Sequence, residues 1–174
     1  VSVNTFVPKP HTPLQWAALE PPDSIREKQA LLRRVLRGRG LKLDYSDPEA
    51  TVLETALARG DRRLGAVIRR AWELGARFDA WDDQRDDGAW RQAFEESGLG
   101  PSFYAYRERA PEEMFPWDVV SVGVRKVFLL KEYQRSRRGE MLVDCREQCH
   151  ACGVLVAYKD SWSETWRCPP VQDS

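Results

Sequence analysis

The residues best suited to chemistry lie near the end of this sequence, where Cys145-Arg146-Glu147-Gln148-Cys149-His150-Ala151-Cys152 sets three thiols in a Cys-x3-Cys-x2-Cys arrangement. That spacing lets one turn of backbone aim several thiolates at a single centre. Three thiolates suit an iron–sulfur cluster with one open iron. Zinc would need a fourth ligand, because structural zinc is four-coordinate, and Cys168 and His150 are the candidates. His150 is the poorer, since the adjacent Cys149 and His150 rarely point at the same ion. Dense cysteines in an intracellular chain favour metal over disulfides. The plainer alternative is three reduced, partly buried thiols and no metal.

A second pair of candidates is Lys9 and His11, within Pro8-Lys9-Pro10-His11-Thr12-Pro13. If the preceding run Val1 to Val7 is a strand of an α/β barrel, both leave it at the end where barrels keep their active sites. They then stand as substrate-binding residues, His11 the better of the two. The bland reading is a proline-rich brace with solvated side chains. Arg59, Arg62, Arg63, Arg69 and Arg70 form a basic surface that could meet phosphate or RNA, but interleaved Glu54, Asp61 and Glu73 favour a solvated face. Asp79, Asp82, Asp83, Asp86 and Asp87 lack the spacing and turn glycine of a calcium loop and read as turn and cap residues. No Gly-rich phosphate loop, Ser-His-Asp order or metalloprotease helix motif is present.

The elements that must position these residues are mainly helical. Val1 to Val7 is rich in β-branched and aromatic residues and predicts one strand. Its only partners in this sequence are weak segments such as Leu41 to Tyr45, so the missing partners are expected upstream. Ile25, Leu31, Leu32, Val35 and Leu36 predict a helix from Ser24, stopped by Gly38 and Gly40. Asp47-Pro48 caps a helix with Val52, Leu53, Ala56 and Leu57 buried, and Gly60 ends it. Asp61 starts another, with Leu64, Val67, Ile68, Ala71 and Trp72 running to Gly75, so residues 47 to 75 predict a helical hairpin. A fourth helix covers Asp87 to Ser97 on Trp90, Ala93 and Phe94. Gly98 to Gly123 is expected to be irregular, anchored by Phe103, Tyr104, Tyr106 and Trp117. A fifth helix runs from Val124 to Arg138 with Val127, Phe128, Leu130 and Tyr133 inward. Val154 to Tyr158 reads as a short strand, and the polar end to Ser174 as frayed.

Composition bounds these readings. The chain has 174 residues, with 27 Lys and Arg against 27 Asp and Glu. Balanced charge gives no whole-chain reason to expect nucleic acid or an anionic membrane. No apolar stretch approaches the roughly 20 residues needed to span a bilayer, which predicts a soluble, cytoplasmic protein with no membrane partner. Trp16, Trp72, Trp81, Trp90 and Trp117 argue for a packed chain that buries them. The start at Val1 rather than Met predicts an N-terminus made by cleavage, truncation or a partial gene.

Several separated stretches, taken together, resemble the C-terminal part of a cobalamin-binding radical SAM protein family. They are Phe6-Val7-Pro8-Lys9-Pro10-His11-Thr12-Pro13 with Gln15-Trp16, Lys28-Gln29-Ala30-Leu31-Leu32, and Ala58-Arg59-Gly60-Asp61-Arg62-Arg63-Leu64-Gly65. Gly75-Ala76-Arg77-Phe78-Asp79, Pro116-Trp117-Asp118, and Asp144-Cys145-Arg146 with Cys149 and Cys152-Gly153 complete the set. The resemblance implies that residues 1–20 end a radical SAM barrel, 21–139 form a helical C-terminal extension, and 140–174 carry the cysteines and a tail. It also implies an upstream barrel and cobalamin domain as partners, with S-adenosylmethionine and cobalamin bound only by the parent enzyme. On this reading Cys145, Cys149 and Cys152 copy the radical SAM spacing but form an auxiliary site, and the chain alone is inactive.

The family pattern continues Cys-Gly-Val-Cys, whereas here Cys152-Gly153-Val154 is followed by Leu155. Cys168 replaces the fourth thiolate, or three thiolates suffice, or the site is degenerate. The expectation is therefore a mainly α chain of about five helices with one N-terminal strand and an irregular cysteine segment. In function it is a radical SAM enzyme's C-terminal portion, of unknown substrate, with metal ligands Cys145, Cys149, Cys152 and Cys168 holding an iron–sulfur cluster or zinc. The competing class is a stand-alone helical zinc-knuckle module that binds RNA or protein. A plain helical domain with incidental cysteines is the third.

Overall fold

The computed structural model describes residues 1–81, 83–160 and 168, with the backbone of 161. Seven α-helices and one pair of very short strands occur among them. The chain divides into two compact units, Val1–Lys9 with Ala17–Arg109, and Pro10–Trp16 with Ala110–Ser174. No helix of the described residues is long and apolar enough to cross a membrane.

The first unit opens with β1 (Ser2–Val3), followed by α1 (Pro22–Val35) and β2 (Asp44–Tyr45), and the two strands pair in parallel. The expected strand over residues 1–7 is thus only two residues long, and its partner lies within the chain. Both limits are local. Pro48 opens the next helix just after β2, and beyond the ladder the Thr5 amide donates to Ser46 Oγ (3.0 Å) instead of continuing it. In α1 the buried residues are Ile25 and Gln29, while Leu31 and Val35 of the predicted stripe are exposed. Gln29 donates to the Ser46 carbonyl (3.0 Å), which holds the helix to the end of β2.

Helix α2 (Pro48–Arg59) starts where predicted, with Asp47 Oδ1 accepting from the Ala50 amide (2.8 Å) and proline in the first turn. Helix α3 (Leu64–Glu73) ends at Gly75, whose φ of 109° suits glycine. The predicted hairpin of these two helices does not form. Instead α2 packs chiefly on α5 (Pro101–Ala105), a short helix inside the segment expected to be irregular, and α3 packs on α4 (Asp87–Glu96). The main core joins Ala56, Leu64, Val67, Ala71, Trp90, Ala93, Phe94 and Tyr104. Ile68 and Trp72 were expected in it but are exposed, because the buried stripe of α3 is only Leu64, Val67 and Ala71 wide. Trp81 is exposed as well.

The second unit is built on α6 (Lys126–Arg137), which packs against a 3₁₀ turn at Pro13–Trp16. Trp16 is fully buried between the rings of Phe115 (5.5 Å) and Tyr133 (5.8 Å). Gln15, also buried, accepts from Trp117 Nε1 at 2.8 Å. The inward residues of α6 are Leu129 and Tyr133, while Val127 faces out. The predicted strand at Val154–Tyr158 is instead the helical turn α7 (Val154–Ala157), started by left-handed Gly153. Its apolar run is short enough to suit either state. The polar end after 161 lies outside the described residues except for Cys168.

Candidate metal centre

The cysteine segment follows α6 and is shaped by short-range hydrogen bonds. Asp144 begins it: its carboxylate accepts from the Arg146 amide (2.8 Å) and pairs with the Arg146 guanidinium through two bonds (3.0 and 2.8 Å). Its carbonyl accepts from Glu147 and Gln148, so residues 144–148 close a turn around Cys145. The Arg146 partnership holds the Asp144 carboxyl well below the usual carboxylate range, so this turn carries a fixed negative charge at neutral pH. His150 Nε2 lies 2.8 Å from the Val143 carbonyl. That contact occupies one ring nitrogen of the imidazole.

Between Cys149 and Cys152 the backbone adopts an unusual path. Ala151 has φ 51° and Gly153 φ 113°, and a left-handed non-glycine costs about 1–3 kcal/mol unless its surroundings enforce it. Here the result is that the Ala151 amide donates to the Cys149 sulfur at 3.4 Å. That bond closes the loop over the Cys149 sulfur. Cys149 is buried, Cys152 and Cys168 are half-buried, and Cys145 is exposed.

Cys168 is brought to the same place. Burial pushes its thiol pKa up, as do the charges of Cys149, Cys152 and Cys145 and a hydrogen bond shared with Cys149. The four cysteines are therefore neighbours. Among the described residues no three His, Cys, Asp or Glu side chains converge closely enough to hold an ion. The donor set is soft and all sulfur, matching zinc or iron–sulfur chemistry rather than magnesium or calcium.

The other sequence candidates separate. The Lys9 ammonium is paired with the Glu54 carboxylate. His11, left-handed at φ 56°, donates its amide to Gln15 Oε1 (3.1 Å) and lines a cavity of about 190 Å³ with Asp118, Lys126 and Leu129. Arg59, expected on a basic surface, is fully buried and donates to the carbonyls of Ala105 and Arg107, each at 3.1 Å. Arg63, Arg69 and Arg70 are engaged by Asp61, Glu73 and Glu96, which leaves the helical face solvated and balanced. Asp86 caps α4 and Asp87 meets Arg85, while Asp82 lies outside the described residues.

Sequence reasoning missed Gly123 and Arg125, which hold the cysteine loop from outside. The Arg125 amide donates to the Cys152 carbonyl (2.8 Å), and its guanidinium donates to the Ala151 carbonyl. Gly153, directly after Cys152, carried the only sequence signal for this approach. No protein-family model, curated protein or solved structure matches the chain.

Proposed function

We propose that this chain is the C-terminal portion of a cobalamin-binding radical SAM enzyme, and that Cys145, Cys149, Cys152 and Cys168 form its auxiliary metal site. The observation that carries the metal reading is that Cys168 comes within reach of Cys149, Cys152 and Cys145, with eighteen positions of sequence between it and Cys149. Such a distant thiol has no local reason to lie there. The ordered motifs from Phe6 to Gly153 support the parentage, as does the parallel β1-α1-β2 unit, the repeating unit of α/β barrels.

The residues have distinct tasks. Cys149 and Cys152 would supply thiolates from a loop whose Ala151 amide donates to the Cys149 sulfur. Cys145 would join from the Asp144 turn, and Cys168 would close the set. When bound, an iron–sulfur cluster supplies electron transfer, and zinc supplies only cross-linking. The chain alone is inactive, and Lys9 and His11 are candidate substrate contacts of the parent enzyme.

The test is metal and sulfide analysis of the anaerobically purified chain with its visible absorption spectrum, beside Cys149→Ser. Iron with sulfide and an absorption lost in Cys149→Ser supports an auxiliary cluster. Stoichiometric zinc favours the helical zinc-knuckle module that binds RNA or protein, and absence of both metals refutes the site. Parentage has its own check: the gene should continue upstream of Val1 into a barrel with three further cysteines.

A further inference from the structure

We propose that a cavity of the first unit, lined by α2 and α4, binds a free α-amino acid with a bulky apolar side chain. The proposal is independent of the metal reading, since the first unit contains no cysteine. Helix α2 packs chiefly on α5, and α3 packs on α4. One side of α2 and one side of α4 are left to line a common cavity of about 310 Å³. Val52 and Leu53 of α2 and Trp90 and Phe94 of α4 give it apolar walls, joined by Leu99. Val52, Trp90 and Phe94 are buried. Sites for small ligands run from about 300 to 1,000 Å³, so this space takes one compact molecule with an apolar body.

The charged side chains of the lining are of two kinds. Glu49 is held by Arg26 (2.5 Å) and Asp87 by Arg85 (2.7 Å). Arg91 and Glu95 remain. Both are exposed, they stand four positions apart on α4, and neither side chain has a hydrogen-bond or ion-pair partner among the described residues. Opposite charges at that spacing commonly pair along a helix face; here both line the cavity unpaired. A guanidinium presents a fork that matches a carboxylate, and a carboxylate attracts an ammonium. An α-amino acid carries both groups on one carbon. Its carboxylate meets Arg91 and its ammonium meets Glu95, while its side chain fills the apolar walls. A hydrocarbon would leave both charges unused, and a simple anion or cation would use only one.

Isothermal titration calorimetry of the chain with L-phenylalanine tests this, beside L-alanine, phenethylamine and hydrocinnamate. L-phenylalanine should bind once per chain. L-alanine leaves the apolar walls unfilled and should bind at least about tenfold more weakly. Phenethylamine lacks the carboxylate and hydrocinnamate lacks the ammonium. Each should bind about fivefold more weakly than L-phenylalanine, the scale of one exposed ion pair. Arg91→Gln should lower L-phenylalanine to the affinity of phenethylamine, with Arg91→Lys recovering most of the loss, and Glu95→Gln should lower it to that of hydrocinnamate. Both side chains are exposed, so thermal midpoints should stay at the wild-type value. Failure of L-phenylalanine to bind saturably overturns the proposal. So does either analogue binding the wild-type chain as tightly as L-phenylalanine, a comparison that needs no substitution, and so does wild-type affinity in folded Arg91→Gln or Glu95→Gln.

Discussion

A guanidinium cut off from water must place its donors on protein groups, and Arg59 does so with the carbonyls of Ala105 and Arg107. Arg109 in turn donates to the Arg59 carbonyl at 2.8 Å. This pair of arginines stitches the end of α2 to the segment leaving α5. Arg59→Met fills similar space but leaves two carbonyls without their donor, which costs about 2–5 kcal/mol. Urea unfolding should show that loss, and a change below about 1 kcal/mol would mean that water replaces the guanidinium. The sequence placed Arg59 on the surface by its company, Arg62 and Arg63. Its register said otherwise: it stands three positions after Ala56 and seven after Val52, both buried. The closely spaced Cys145, Cys149 and Cys152 were legible in the sequence. The contact of Arg125 with their loop was not, because it joins residues twenty-six positions apart.

At the scale of elements, the helix starts and stops were the most readable features because each has a local cause. Asp47 both accepts from the Ala50 amide and meets Arg85 Nη2 at 3.0 Å, so it caps α2 and ties it to the turn before α4. Asp47→Ala should cost about 1 kcal/mol from the lost cap. Asp47→Asn, which can still cap but cannot form the ion pair, should recover most of it in thermal unfolding, because Arg85 keeps its ion pair with Asp87. Equal losses in both variants would transfer the effect to Arg85. Helix pairing was far less readable. A short connection suggested that α2 and α3 form a hairpin, yet a five-residue helix led by Pro101 takes the face of α2. Periodicity reports that a face is apolar and not which partner covers it. The four-residue run at Val154 had a related ambiguity, resolved by left-handed Gly153, whose carbonyl accepts from the Val156 and Ala157 amides.

At the scale of the whole molecule, the equal totals of acidic and basic residues conceal a systematic arrangement: carboxylates in both units sit beside cations or other donors. Lys28 and Ser24 lower the pKa of Glu20, Arg63 that of Asp61, and Arg70 with Gln92 that of Glu96. In the second unit Arg138 lowers that of Glu140, and Arg146 that of Asp144. A carboxylate whose folded pKa lies below its unfolded value binds fewer protons when folded. Its contribution is present above the unfolded pKa, near 4, and is lost as pH falls through the folded value. The chain should therefore hold its full stability near neutrality and lose it progressively below about pH 4. Each pair is exposed, so the loss is spread over many small increments and shrinks in salt. Urea midpoints measured at pH 7, 5 and 3 should fall only over the last interval, less steeply in 1 M salt, and Glu96→Gln should flatten the fall by removing one titrating group. A midpoint that drops equally between pH 7 and 5 would overturn this account, since each of these carboxylates is held below its ordinary value.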